Sequence, residues 1–372
     1  MPRLDAFLQI GREQGGSDIH FTVGLPPLVR LDGELVPIKY RALSPEEAEG
    51  IVEEIFTAYH REQFKEKGSV DLSYAAEGVG RFRINVCRHQ RGLGVSCRAI
   101  PHEVPRLADL GLPRVVSRFT NFSSGLVLVT GATGTGKSTT LAAMIHEINQ
   151  TRSLNIITLE DPVEFLHKSD KALVMQREIG THLPSFKEGL RSALRQDPDV
   201  ILVGELRDYE SIALALEAAE TGHLVFGTLH TRGAAQTIDR IVDALPADGQ
   251  AQVRHSLADN LKCVLSQELV RVADGRGRRA AVEILVVTLA VAQLIREGKT
   301  FQIPSAITTG KRVGMQLMDQ ALLALVRAGD VDPDEAFLKA VDKWGFAPFV
   351  TRHELLNLVA GGPAGDTEGK AA

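Results

Sequence analysis

Gly131-Ala132-Thr133-Gly134-Thr135-Gly136-Lys137-Ser138 is the stretch that decides the fold. It fits the spacing G-x-x-x-x-G-K-[ST], in which glycines let the backbone wrap with its N–H groups turned inward around phosphate. Leu126-Val127-Leu128-Val129-Thr130 before it is a continuous apolar run, and Ser138 to Asn149 after it reads as helix. A strand, this loop and a helix in that order make a phosphate cradle, because the helix N-terminus adds a favourable field for anions. Lys137 then supplies positive charge to the β- and γ-phosphates, and the Ser138 hydroxyl is a ligand for Mg2+. ATP and Mg2+ are the expected ligands, bound by Gly131, Thr133, Gly134, Thr135, Gly136, Lys137, Ser138 and Thr139.

Three further apolar runs follow: Asn155-Ile156-Ile157-Thr158-Leu159, Val200-Ile201-Leu202-Val203 and Leu224-Val225-Phe226. Helical or mixed segments separate them. Such runs are what a parallel sheet covered on both faces requires, so this part of the chain is predicted to be α/β. The region before it differs. Ser17 to Val23 alternates, and Leu28 to Leu31 runs into Asp32-Gly33 as a strand and hairpin turn. Ser44-Pro45-Glu46-Glu47 carries the signature of a helix start, and that helix is expected to run to about Phe64. Strands are expected near Ser69–Tyr74, Arg81–Cys87 and Val95–Ile100. The expected division is an α+β domain over 1–103, a linker over 104–122, an ATPase domain with C-terminal helices over 123–360, and a disordered tail over 361–372. Another helix start lies at Asp332-Pro333-Asp334-Glu335.

Composition narrows the function classes. The chain has 372 residues, 44% hydrophobic and 24% charged, which suffices for about two cores. A net charge of −5 argues against a protein built mainly to hold nucleic acid. Cys87, Cys97 and Cys263 form no CxxC pair, so neither a disulfide framework nor a zinc ribbon is expected, and a reducing compartment is the natural reading. The start Met1-Pro2-Arg3-Leu4-Asp5 shows no signal-type apolar stretch, and the run Ile284 to Ile295 is too short to span a bilayer. A cytoplasmic protein is expected, with membrane association only through partners.

A phosphate cradle does not hydrolyse anything alone; it needs a carboxylate for the metal and a group that orients water. Glu160 and Glu164 close the second apolar strand and Glu205 closes the third, and ligands bind at the carboxyl ends of strands in such sheets. An acidic residue at a strand end also serves as a turn former or cap, a reading that applies to Glu160 more than to Glu205. His223 and His230 bracket the fourth strand, His230 on the ligand side, where sensing the γ-phosphate or a neighbouring subunit competes with a structural role. Arg81-Phe82-Arg83 and Arg98 lie on strands of the first domain, either on a solvated face or as arginines that complete another subunit's site. Arg276-Gly277-Arg278-Arg279 lies between apolar runs and reads as a solvated turn.

Four segments in this order resemble the secretion-type ATPase superfamily, and within it the type IV pilus twitching motility (PilT) family. Gly131 to Thr140 looks like the family's Walker A and Ile157 to Phe165 is similar to its Asp box. Asp197 to Asp208 is similar to its Walker B, and Ala219 to Thr231 to its His box. The resemblance implies a PAS-like α+β N-terminal domain followed by a RecA-like P-loop ATPase domain with a helical C-terminal segment. It also implies a homo-hexamer at the inner-membrane base of a type IV pilus, partnered by the platform protein. Under it Glu164 polarises water, Glu205 supports Mg2+ and catalysis, and His230 senses the γ-phosphate. Arg83 and Arg98 match its trans-acting arginines, with Arg114 and Arg118 as candidates for a third. Leu294-Ile295-Arg296-Glu297-Gly298-Lys299-Thr300 resembles a retraction-associated motif, as do Ser305 to Gly310 and Gly314-Met315-Gln316. The chain begins almost at the PAS-like domain and lacks the four-cysteine element of assembly and secretion ATPases, which also points to retraction. Ala132 stands where the family more usually has Pro, and the C-terminal ~50 residues match no motif of it. Other readings are an assembly or secretion motor, an accessory nucleotide-binding subunit and a DNA translocase; the last requires salt-sensitive DNA binding.

Overall fold

The computed structural model describes residues 3–31, 34–100, 103–275 and 277–359. The expected Asp32-Gly33 turn, Arg276 and the 361–372 tail lie outside the described residues. The chain divides into two compact units, Met1–Pro105 with Ile145–Glu205, and Arg106–Met144 with Leu206–Ala372.

The first unit opens with a helix, Arg3–Glu13, whose Leu4, Phe7 and Leu8 are buried at helical spacing. Six strands follow: β1 (Asp18–Thr22), β2 (Leu28–Leu31), β3 (Glu34–Pro37), β4 (Ser69–Ala76), β5 (Gly80–His89) and β6 (Gly92–Ile100). They pair antiparallel in the order β3-β2-β1-β6-β5-β4. Alternation puts Phe82, Ile84 and Val86 of β5 into the core, so Arg81, Arg83 and Asn85 take the other face. In register, Ser73 faces Arg83, Arg83 faces Arg98, and Arg98 faces Asp18. The expected single helix from Pro45 to about Phe64 is two helices, Pro45–Ile55 and Ala58–Lys67. Phe56 is extended, and Thr57 starts again with its own capping box, its hydroxyl taking the His60 N–H while the His60 side chain takes the Thr57 N–H.

Strands β7 (Gly125–Thr130), β8 (Asn155–Glu160), β9 (Leu173–Glu178), β10 (Val200–Val203) and β11 (Leu224–Leu229) supply the α/β part. In the first unit β8 runs parallel between β10 and β9. β9 has no counterpart in the sequence reading; its mixed polar residues and half-buried pattern hide the strand. In the second unit β7 pairs parallel with both β11 and β12 (Leu261–Arg271). β12 turns back antiparallel into β13 (Arg278–Val286), so the sheet is mixed where the apolar runs suggested only parallel strands. Every residue of β7, β10 and β11 is buried, the consequence of cover on both faces. Gly277, Arg278 and Arg279 are exposed at the β12–β13 connection, as a solvated turn requires.

The segment around 104–122 carries helical turns at Leu107–Leu110 and Val116–Phe119, with Leu107, Val116 and Phe119 buried. At the other end, helices Met318–Ala328 and Pro333–Lys339 and the turns from Trp344 to Val359 build a small core with Val270 and Ala281. Asp332 starts the second of these helices as expected. Asp334 ties that core together: it is buried and accepts from the Thr351 N–H at 2.7 Å and from the Arg352 Nε at 3.1 Å. Burial works against its ionisation, but the hydrogen bonds from Thr351 and Arg352 outweigh it and hold the carboxyl at about 2. The folded value lies below the usual 3.8, so the stabilisation is complete above that pH and is lost as pH falls toward about 2. Trp344, the single tryptophan, reports on this segment. Its fluorescence is expected to change between pH 4 and 2 in the parent chain, and to be already altered at neutral pH in Asp334→Asn.

Candidate nucleotide site

Gly131, Gly134 and Gly136 all have positive φ, which lets the loop curl around a central space. At Gly131 there is also no room for a side chain, since a Cβ would lie 2.3 Å from the Gln267 carbonyl oxygen. Lys137 begins the Lys137–Thr151 helix, and its side chain, only 8% exposed, donates from Nζ to the carbonyls of Gly131 and Ala132 at 2.9 Å each. Thr133, Gly134 and Ser138 face solvent on the same loop. A buried ammonium in a glycine-rich loop, with an exposed hydroxyl at the first helical turn, fits a triphosphate with a hard cation.

Gln267 of β12, which the sequence reading missed, holds this loop. It is 3% exposed, donates from Nε2 to the Thr135 carbonyl at 2.8 Å and accepts from the Thr140 hydroxyl at 2.8 Å. Thr130 and Ser266 are joined beside it, oxygen to oxygen, at 2.7 Å. An uncharged amide inside the apolar run Leu261–Val272 was the available signal.

His230 is exposed just beyond the carboxyl end of β11. His223 lies at the opposite end, its Nδ1 2.9 Å from the Ala218 carbonyl, a structural closure of the preceding helix. Glu283 on β13 anchors the loop after His230 by accepting the Ala234 N–H at 2.8 Å. Burial raises its pKa, against the pull of that N–H. Arg114 and Arg118 are both exposed. Of the retraction-like segment, Ile295 is buried, Arg296 pairs with Asp259, and Lys299 lies 2.7 Å from Glu297.

The first unit holds the carboxylates. Glu160 sits at the end of β8 and takes the turn-forming role: it accepts from Thr158 at 2.6 Å, from Gln176 at 3.0 Å and from the Glu164 backbone. Burial nevertheless raises its pKa. Gln176 on β9 also donates to the Phe165 carbonyl and accepts the His167 N–H, both at 2.8 Å. The loop thus held leaves the Glu164 carboxylate half-exposed, 4.0 Å from Arg83. Arg83 lies 3.6 Å from Asp71 as well, and Arg98 is held by Asp18 at 2.8 Å with its side chain 72% exposed. Glu205 follows β10, and Gly204 before it donates to the Leu159 carbonyl at 2.8 Å.

Residues 113–335 match the family model described as Type II/IV secretion system protein. The chain is 48% identical over 337 residues to the type IV pilus retraction ATPase PilT of Pseudomonas aeruginosa, covering 91% of this chain and 98% of that protein. The chain belongs to the PilT family. A twitching motility protein of Neisseria gonorrhoeae is also 48% identical, over 84% of each chain. The crystal structure of the pilus retraction motor PilT with bound ADP superposes with a TM-score of 0.85 at 44% identity, covering 93% of this chain and 98% of that one. As in that structure, the fold is an N-terminal antiparallel sheet followed by a mixed, mostly parallel α/β part, and the chain is a secretion-type ATPase.

Replacing Gln267 by Leu leaves the Thr135 carbonyl and Thr140 hydroxyl buried without their partner, at a cost of about 1–3 kcal/mol in stability. Gln267→Leu is expected to lower the melting temperature and weaken ATP binding together. An unchanged binding isotherm would show that the loop holds its shape without the amide.

Proposed function

We propose that this chain is the motor of type IV pilus retraction, hydrolysing ATP as a homo-hexamer that acts on the inner-membrane platform protein. The observation that carries the reading is the 48% identity spanning 98% of the Pseudomonas aeruginosa retraction ATPase, joined to a phosphate loop of the required geometry. Lys137 exchanges the carbonyls of Gly131 and Ala132 for phosphate oxygens, and the N–H groups of Thr133 to Thr139 receive the remaining charge. Ser138 and Glu205 would hold Mg2+, which when bound neutralises charge between the β- and γ-phosphates. Glu164 polarises the attacking water, and His230 senses the γ-phosphate. The family resemblance offers Arg83 as well as Arg98 to a neighbouring subunit; the 4.0 Å approach of Arg83 to Glu164 of the same chain supports instead a role for Arg83 beside its own Glu164. Arg98, largely exposed, is the arginine offered to a neighbour.

In this reading the ATPase domain spans 123–360 and the N-terminal domain 1–103. The start of the family match at residue 113, inside the 104–122 linker, supports the division. No helix among the described residues is long and apolar enough to cross a membrane, and docking at the membrane is assigned to partners.

Steady-state phosphate release tests the chemistry. Lys137→Ala is expected to abolish it, and Glu164→Gln to lower kcat by about 100-fold or more while ATP still binds. Deleting the gene tests the biology: cells that keep surface pili in excess and stop twitching support retraction. Loss of pili would instead identify an assembly motor, and an absence of turnover an accessory subunit.

A further inference from the structure

Glu178 is a carboxylate only 4% exposed, at the end of a strand the sequence did not announce, and no step of the proposed hydrolysis uses it. Its two oxygens reach two different elements. Oε2 accepts the backbone N–H of Val163, the residue before Glu164, at 3.0 Å. Oε1 accepts from the Ser73 hydroxyl at 2.9 Å and from the Thr181 hydroxyl at 3.0 Å. Ser73 lies on β4 directly opposite Arg83 of β5. Arg81, two residues before Arg83 and on the same face, donates to Ser73 at 3.1 Å and lies 3.9 Å from the Glu178 carboxylate.

We infer that Glu178 is a positioning residue that sets the separation of Arg83 and Glu164, by holding the loop beside one and the strand pair beside the other. A buried carboxylate keeps its place only where donors and a cation surround it, so all four partners are fixed along with it. A charge-assisted bond to a backbone N–H is stronger than a neutral one; Glu178 supplies one at Val163, next to the bond that the Glu164 backbone makes to Glu160. Moving the strand that carries Arg83 therefore pulls on the backbone beside Glu164, through one carboxylate. That gives the N-terminal sheet a mechanical connection to the group proposed to polarise water. The inference rests on the proposed roles of Glu164 and Arg83.

Two variants of the full chain test it. Glu178→Gln removes the charge while keeping the volume, and Ser73→Ala removes the hydrogen bond from the strand side while leaving the Val163 bond and the nearby Arg81 in place. Each is expected to lower kcat by about tenfold or more, since small misplacements of reacting groups cost that much, while the Kd for a fluorescent ATP analogue stays unchanged. In an Arg83→Gln background the further loss on adding either variant is expected to shrink to about twofold or less, because the pair it positions is already broken. Hydrogen exchange of the peptide holding Val163 and Glu164 is expected to quicken in Glu178→Gln, whether or not the parent turns over ATP. Fully multiplicative losses, an unchanged kcat beside an active parent, or unaltered exchange at Val163 would each overturn the inference. A parent chain without ATPase activity but with the exchange effect would count against the proposed function and leave the Glu178 connection standing.

Discussion

The amide of Gln267 is the interaction on which the phosphate loop depends. A loop that turns its N–H groups toward a ligand must find other partners for its carbonyls, and the Thr135 carbonyl finds one in Gln267 at 2.8 Å. The same solution recurs at the other strand ends. Glu283 receives the N–H of Ala234 beyond the His230 loop, and Glu160, Gln176 and Glu178 receive or supply the backbone bonds of the Glu164 loop. Each anchor is a polar side chain reaching from a strand into an irregular segment. Regular sheet thus pins the irregular backbone at its strand ends, and the burial of Gln267 and Glu178 makes their bonds expensive to break.

Charge is arranged to match. Lys137 is almost wholly buried yet satisfied by two loop carbonyls, so its ammonium is held where a phosphate can replace those weaker acceptors. On the first sheet, register lines up Ser73, Arg83, Arg98 and Asp18 across neighbouring strands. Two arginines directly opposite each other repel, and each is relieved by acids: Arg83 by Asp71 and Glu164, Arg98 by Asp18. The acids offset the cost of keeping two guanidinium groups side by side on one polar face.

Much of the fold was legible because its signals are local. The buried strands read as apolar runs, the strand–loop–helix order marked the phosphate cradle, and the Ser44 and Asp332 helix starts stand where expected. The break at Phe56 was not legible, since Thr57 is followed three residues on by His60 and not by the Glu or Gln that marks a capping box in sequence. β9 was missed because Leu173–Glu178 is only half-buried and its polar residues mask the alternation. The anchors were missed for a related reason: one Gln or Glu inside a strand gives no hint of which backbone group it will meet.

By itself the sequence determined which residues could carry chemistry, because glycine spacing, a lysine after the last glycine and acids at strand ends are written along the chain. It also determined the family, through four motifs in order. Tertiary structure alone decided which of those residues meet. Arg83 approaches Glu164 at 4.0 Å although they lie far apart in the chain, and Glu178 bridges the strand pair of one and the loop of the other. Such pairings follow from strand register and long-range packing, and a pattern that repeats every two or 3.6 residues does not encode them.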